Sequence, residues 1–227
     1  MPISAIIMDA YGFVVEGRAN TKSMFLDYVK DKVALSPLLS PFFSPQEMLK
    51  VYRKYRHRAF VDPHYHDEQA MRDIFQELNI PQHCDDYLRQ NAAEQAVKVK
   101  EGVIYTLQQL QQRKIPVYIL TDCVEPATWM KALFEQVGLA HYIDGVISSK
   151  DVGQMKPSPQ AFQYVLDAYH LDKKNVLFGG HAYDEVKGAH DFGLQAVVCF
   201  SRPEEDFSFL PKTHRLKRLD ELLELVP

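Results

Sequence analysis

The sequence predicts an α/β fold, an open parallel sheet whose first strand is followed by a long helical insert. Three observations carry that expectation. Ala5-Ile6-Ile7-Met8 is an apolar run that ends in Asp9 and a glycine turn at Gly12, the pattern of a buried strand. From about residue 101 onward, short apolar runs alternate with stretches of helical period, which points to parallel strands joined by crossovers. Residues 16–98 lie between these regions, show helical periodicity and carry no strand signal.

Each element follows from its residues. Thr21 can cap a helix that places Met24, Phe25, Tyr28, Val29 and Val33 on one side. Three Ser-Pro pairs between Ser36 and Pro45 forbid a continuous helix there. Pro45 suits a first helical position, and Met48, Leu49, Tyr52 and Tyr55 follow it. Asp67 opens a further helix with Met71, Ile74, Phe75 and Leu78 at helical spacing, and residues 82–97 read as another. Beyond residue 101, a helix around Leu107 and Leu110 precedes a strand over Pro116–Leu120 that ends in Thr121-Asp122. A helix from Pro126 stops at Gly138, and Gly145–Ser148 is a third strand. The loop Lys156-Pro157-Ser158-Pro159 leads into a helix with Phe162, Val165 and Leu166. Asn175–Phe178 is a fourth strand ending at Gly179-Gly180, followed by a helix over residues 186–192 and a strand over Ala196–Cys199. The tail from Leu216 reads as a final helix.

The bulk properties narrow the function. The 227 residues are 46% hydrophobic and 25% charged, with a net charge of −4 and no long basic block. This argues against nucleic acid or a membrane surface as partner and favours a small-molecule substrate. Cys84, Cys123 and Cys199 are odd in number and lack zinc spacing, which suits a reducing cytoplasm. No secretory leader and no apolar run long enough to span a bilayer is expected. His57, His64 and His66 have no usual metal spacing and read as solvated surface. A monomer and a homodimer are both compatible with the sequence.

Polar residues end several strands: Asp9, then Thr121-Asp122, then Ser148-Ser149, with Asp184 and Glu185 after the fourth. In a parallel sheet these ends share one edge, where ligands bind. Lys156 enters from the loop after the third strand. An aspartate is ionised at neutral pH, a nearby lysine keeps it so, and such a carboxylate can attack carbon or phosphorus.

The order of these pieces resembles the haloacid dehalogenase (HAD) superfamily over nearly the whole chain. The first motif is Asp9-Ala10-Tyr11-Gly12, the second Thr121 after its strand, the third Lys156-Pro157-Ser158-Pro159. The fourth is Gly179-Gly180-His181-Ala182-Tyr183-Asp184-Glu185, followed by Gly188-Ala189. The resemblance implies a Rossmann-like core over residues 1–15 and 99–227 with a helical cap over residues 16–98. It implies a hydrolase in which Asp9 is the nucleophile, Tyr11, Thr121 and Lys156 assist, and Asp184 or Glu185 directs water. Gly12, Arg18, Asp122 and His181 are expected to touch substrate. The string His-Ala-Tyr-Asp selects Asp184, which is preferred, whereas the count back from Gly188 selects Glu185.

Phosphatases of this superfamily carry an acid two residues after the nucleophile and another after the first glycine of the fourth motif. Here those places hold Tyr11 and Gly180. The first motif is closest to that of 2-haloacid dehalogenases, which act on small carboxylic acids without metal, and the stretch at Asp67–Ala70 is similar to their cap. Phe13 stands where they have Thr, and the Ser-Pro stretch lacks their substrate-binding Arg, leaving Arg18, Arg53 or Arg56 to substitute. The alternatives are a phosphatase with Mg²⁺ at Asp9, Tyr11 and Asp184, and a catalytically weakened binding or regulatory protein.

Overall fold

The structure, a computed structural model, describes residues 2–16, 21–29, 45–93 and 97–227. Its strands are β1 (Ala5–Met8), β2 (Val15–Glu16), β3 (Lys98–Val99), β4 (Val117–Thr121), β5 (Gly145–Ser148), β6 (Val176–Gly180) and β7 (Gln195–Val198). Side chains along β1 alternate between two cores, Ile6 and Met8 in one, Ala5 and Ile7 in the other. A strand that is apolar on both faces requires a sheet covered on both sides. That sheet has five parallel strands in the order β5-β4-β1-β6-β7, which puts β1 at its centre.

Helices α1 (Thr21–Tyr28), α2 (Pro45–Val61), α3 (Asp67–Glu77) and α4 (Cys84–Ala93) all lie between β2 and β3 in the chain. The later helices are α5 (Val103–Gln112), α6 (Ala127–Gln136), the short α7 (Ser149–Val152), α8 (Pro159–Ala168) and α9 (Tyr183–Phe192). Val103, Leu107 and Leu110 of α5 and Met130 and Phe134 of α6 cover one face of the sheet. Phe162 and Val165 of α8 and Val186 and Ala189 of α9 cover the other. Burying each large side chain contributes roughly 1.5–3 kcal/mol, so these two layers hold the sheet and fix the strand ends.

The helices between β2 and β3 have their own core. On α3, Ala70, Met71, Ile74 and Phe75 form the buried face, at the spacing its sequence predicts. Phe75 meets Phe25 edge-on at 5.8 Å and Tyr87 at 5.5 Å. These helices are tied to the sheet by Lys150, whose buried ammonium donates to the carbonyls of Ala59 (2.8 Å) and Tyr65 (2.6 Å). Ser149 Oγ donates to the Phe60 carbonyl at 3.1 Å. The cation and hydroxyl thereby satisfy carbonyls near the C-terminal end of α2.

Three elements differ from expectation. Residues 16–98 are not wholly helical, because β2 and β3 pair antiparallel, Val15 with Val99 and Glu16 with Lys98. Two-residue strands are too short to show alternation in a sequence. The fourth strand of the sheet runs through Gly179 and Gly180, and the tail forms a 3₁₀ segment, Leu219–Glu224, in place of an α-helix. The expected contributions of Arg18, Val33 and most of the Ser-Pro stretch lie outside the described residues. Among the described residues, no helix is long and apolar enough to cross a membrane.

Candidate active site

Asp9 is the first residue beyond β1. Its N–H donates to the Gly179 carbonyl at 2.9 Å, which continues the pairing with β6 and anchors the backbone under the carboxylate. The chain then turns sharply, with Val14 and Val15 both donating to the Ala10 carbonyl. Phe13 points into the core, fully buried, against Gly179. A Cβ at position 179 would meet its ring at 2.6 Å, so the glycine makes the room that this large residue needs.

Around Asp9 the strand ends form one charged cluster. Lys156 Nζ donates to Asp9 Oδ1 and to the Leu120 carbonyl (2.9 Å), and it lies 3.2 Å from Glu185 Oε2. His181 Nδ1 is 3.0 Å from Glu185 Oε1 and 3.5 Å from Asp9 Oδ2. Glu185 Oε1 also accepts the N–H groups of His181 (2.7 Å) and Ala182 (2.9 Å), so this one carboxylate caps α9 and joins the cluster. Gly12, at φ +87°, lies against the His181 imidazole, and a Cβ there would come within 2.5 Å of the ring.

Burial opposes the charge on each of these groups, and in three of them the neighbours outweigh it. For Lys156, burial is overcome by Asp9, Asp122 and Glu185, which raise its pKa. For Glu185, burial is overcome by Lys156 and then His181, which hold its carboxyl well below the usual range. For His181, burial is overcome by Asp9 and Glu185, which raise the imidazole to about 9. Asp122 goes the other way. Burial, only partly offset by Lys156, pushes it up to about 6, and it accepts the Lys156 N–H at 3.1 Å.

The His181 shift has a measurable sign. Its folded pKa lies above the unfolded 6.5, so its contribution to stability is complete below about pH 6.5 and fades as pH rises through about 9. The melting temperature of the wild-type protein should therefore fall more between pH 6.5 and 8.5 than that of His181→Asn. Parallel curves in a thermal-shift series would show that the imidazole is not held as a cation.

A cavity of about 510 Å³ opens over this cluster. Of the residues expected from sequence, Asp9, Tyr11, Gly12, Asp122 and Lys156 line it, as do His181, Asp184 and Glu185. The two alternatives for the second acid occupy different places: Glu185 is buried against Lys156, and Asp184 is exposed on the cavity wall. Thr121 is buried at the end of β4, its hydroxyl has no hydrogen-bond partner, and it does not line the cavity. Two further lining residues, Glu16 and Lys100, were missed from the sequence. They sit at the β2–β3 ribbon, whose two-residue strands are too short to leave a periodic trace.

The donor set around Asp9 matches Mg²⁺ poorly. Asp9, His181 and Glu185 offer atoms within 4.8 Å of one another, the one such group among the described residues. Mg²⁺ asks for near-octahedral oxygen ligands at about 2.0–2.1 Å. Here an imidazole stands between the two carboxylates, and Glu185 Oε1 is already taken by two N–H donors. Gly180 supplies no carboxylate, and a Cβ there would meet Glu185 Oε1 at 2.7 Å. Asp184 belongs to no such group. These residues do not fit Mg²⁺.

A family model described as haloacid dehalogenase-like hydrolase matches residues 3–193. The chain belongs to that family. The relatives of this HAD-like protein divide between two chemistries. It is 22% identical over 227 residues to (S)-2-haloacid dehalogenase 1 of Pseudomonas sp. (strain CBS-3), covering 99% of this chain and 97% of that one. It is 30% identical over 104 residues to the ribulose-1,5-bisphosphate 5-phosphatase of Halopiger xanaduensis, covering 44% of this chain. That match and two others span only 42% to 66% of the relatives' own length. Among solved structures, the 2-haloacid dehalogenase from Pseudomonas syringae pv. Tomato DC3000 superposes with a TM-score of 0.67. That pair is 16% identical and covers 98% of this chain and 97% of the other, a likeness of fold.

Proposed function

We propose that this HAD-like hydrolase is a metal-independent dehalogenase of small 2-haloacids, working through an ester on Asp9. One observation carries the proposal: the His181 imidazole stands between Asp9 and Glu185, 3.5 and 3.0 Å from their oxygens, where a divalent ion would have to sit. Tyr11 instead of an acid agrees with it, because a halide departs without a proton whereas a phosphatase needs a general acid. The domain division follows, with residues 16–98 as the cap and the remainder as the core. Three buried free thiols fit a cytoplasmic setting.

In the first step an Asp9 carboxylate oxygen attacks C2 of the substrate, the carbon–halogen bond breaks, and the halide leaves with the bonding pair. Lys156 holds the Asp9 carboxylate in place until that attack. Esterification removes the Asp9 charge, so the His181 imidazolium loses one of the two anions that hold its proton. Glu185 then takes a proton from water as the water attacks the Asp9 carbonyl carbon. The ester opens, and the departing alkoxide takes the proton of His181 to give the 2-hydroxy acid. Proton transfer from Glu185 to His181, whose facing atoms are 3.0 Å apart, restores that pair, and Asp9, left as the carboxylic acid that carries the second proton of the water, releases that proton to solvent to regain its carboxylate.

Release of chloride from (S)-2-chloropropionate and of phosphate from p-nitrophenyl phosphate, each with EDTA and with Mg²⁺, tests this. Chloride release that EDTA leaves unchanged is expected. Mg²⁺-dependent phosphate release without chloride would replace it with the phosphatase reading, and neither product would favour a binding or regulatory protein.

A further inference from the structure

We propose that Lys100 is the anion anchor of the cavity, holding the carboxylate of a small monocarboxylic substrate while Asp9 reacts at the adjacent carbon. This rests on the proposed function for the identity of the reacting group, and on geometry alone for the anchor.

A substrate of that class brings a carboxylate into a cavity whose inner cations are already committed. Lys156 is bound to Asp9 and Leu120, and His181 stands between Asp9 and Glu185. Of the arginines that could substitute for a missing cap arginine, the two among the described residues, Arg53 and Arg56, do not line the cavity. Arg56 is buried and paired with Asp67, its guanidinium 5.8 Å from the Tyr52 ring centre and 5.5 Å from that of Phe60. Arg53 is exposed, and neither lines the cavity. Among the described residues, Lys100 is the remaining cation on the wall.

Lys100 is built into its place. Its N–H donates to the Val14 carbonyl at 3.1 Å, which fixes it beside the turn that follows Asp9. Its ammonium lies 4.1 Å from the centre of the Phe200 ring, and Phe200 meets Phe13 edge-on at 6.3 Å. The amine is thus positioned by an aromatic shelf that continues into the core. Its acidic partner is Glu16, 3.3 Å away, whose side chain is 63% exposed against 14% for Lys100. A pair with so exposed a carboxylate is weakly held. A substrate carboxylate entering the cavity can take the place of Glu16 without leaving a buried charge unpaired. Glu16 and Asp184 line the same cavity as this cation, so its wall favours a single negative charge over the double charge of a phosphate ester.

The test uses (S)-2-chloropropionate, its neutral amide 2-chloropropionamide, and propionate as an unreactive ligand. For chloride release from the acid, Lys100→Met should raise KM about 10- to 100-fold, the scale of one charge-assisted hydrogen bond, with kcat changed far less. Lys100→Arg should restore KM, and the amide should not register the Lys100→Met change. Propionate should bind Asp9→Asn in calorimetry and bind Asp9→Asn/Lys100→Met at least tenfold more weakly. An unchanged KM in Lys100→Met, or propionate binding that is absent or indifferent to Lys100, would each overturn the anchor. If the wild-type protein releases no chloride, the dehalogenase reading fails, and the propionate measurement alone decides on Lys100.

Discussion

Asp9→Asn is expected to lower kcat by about 10⁴-fold or more, the scale seen when a covalent nucleophile is removed. The exchange keeps the shape of the side chain, and Glu185 and Asp122 still face Lys156, so the fold should survive. Circular dichroism and a thermal melt on the same sample check that part. A second measurement separates a nucleophile from a mere electrostatic helper. In the proposed cycle water attacks the Asp9 carbonyl, so a single turnover in heavy-oxygen water should leave the heavy isotope in the Asp9 peptide. Label found only in the hydroxy acid would mean that water attacks the substrate directly, and the ester would have to be abandoned.

Lys156→Met should damage both stability and activity. Its ammonium is the shared counter-ion of Asp9 and Glu185, both buried, with Asp122 at 4.0 Å. Removing one partner from a buried ionic group typically costs about 3–5 kcal/mol, because the charge left behind stays desolvated. In a protein of this size that corresponds to roughly 6–20 °C in melting temperature. Adding Glu185→Gln should recover part of the loss by deleting one of the stranded charges, whereas two unrelated sites would simply add. Urea unfolding of the two single variants and the double variant reads this coupling directly. A Lys156→Met protein as stable as wild type would mean that its carboxylates take up protons or water at little cost.

The sheet was legible in the sequence because its strands are apolar on both faces and end in turn or polar residues. Asp9 and Lys156 were legible for a related reason, since each follows a strand at a spacing that the topology brings together. The choice between Asp184 and Glu185 was not, because both fall in the first turn of α9. Only the packing of that turn against Lys156 and the His181 N–H gives them different surroundings. Glu16, in β2, and Lys100, the residue after β3, were hidden because both strands are two residues long. Arg56 looked like an available cation, and nothing in its neighbours announced that Asp67, eleven positions on, would claim it.

The fit of Phe13 against Gly179 bears on how this protein tolerates change. Two positions far apart in the chain share one volume, so neither can be varied independently. A library randomised at residue 179 alone will be emptied by collision with the ring, and one randomised at residue 13 alone will leave a hollow under the nucleophile's loop. Compensating exchanges at both positions keep the loop supported, which makes the pair a single hereditary unit.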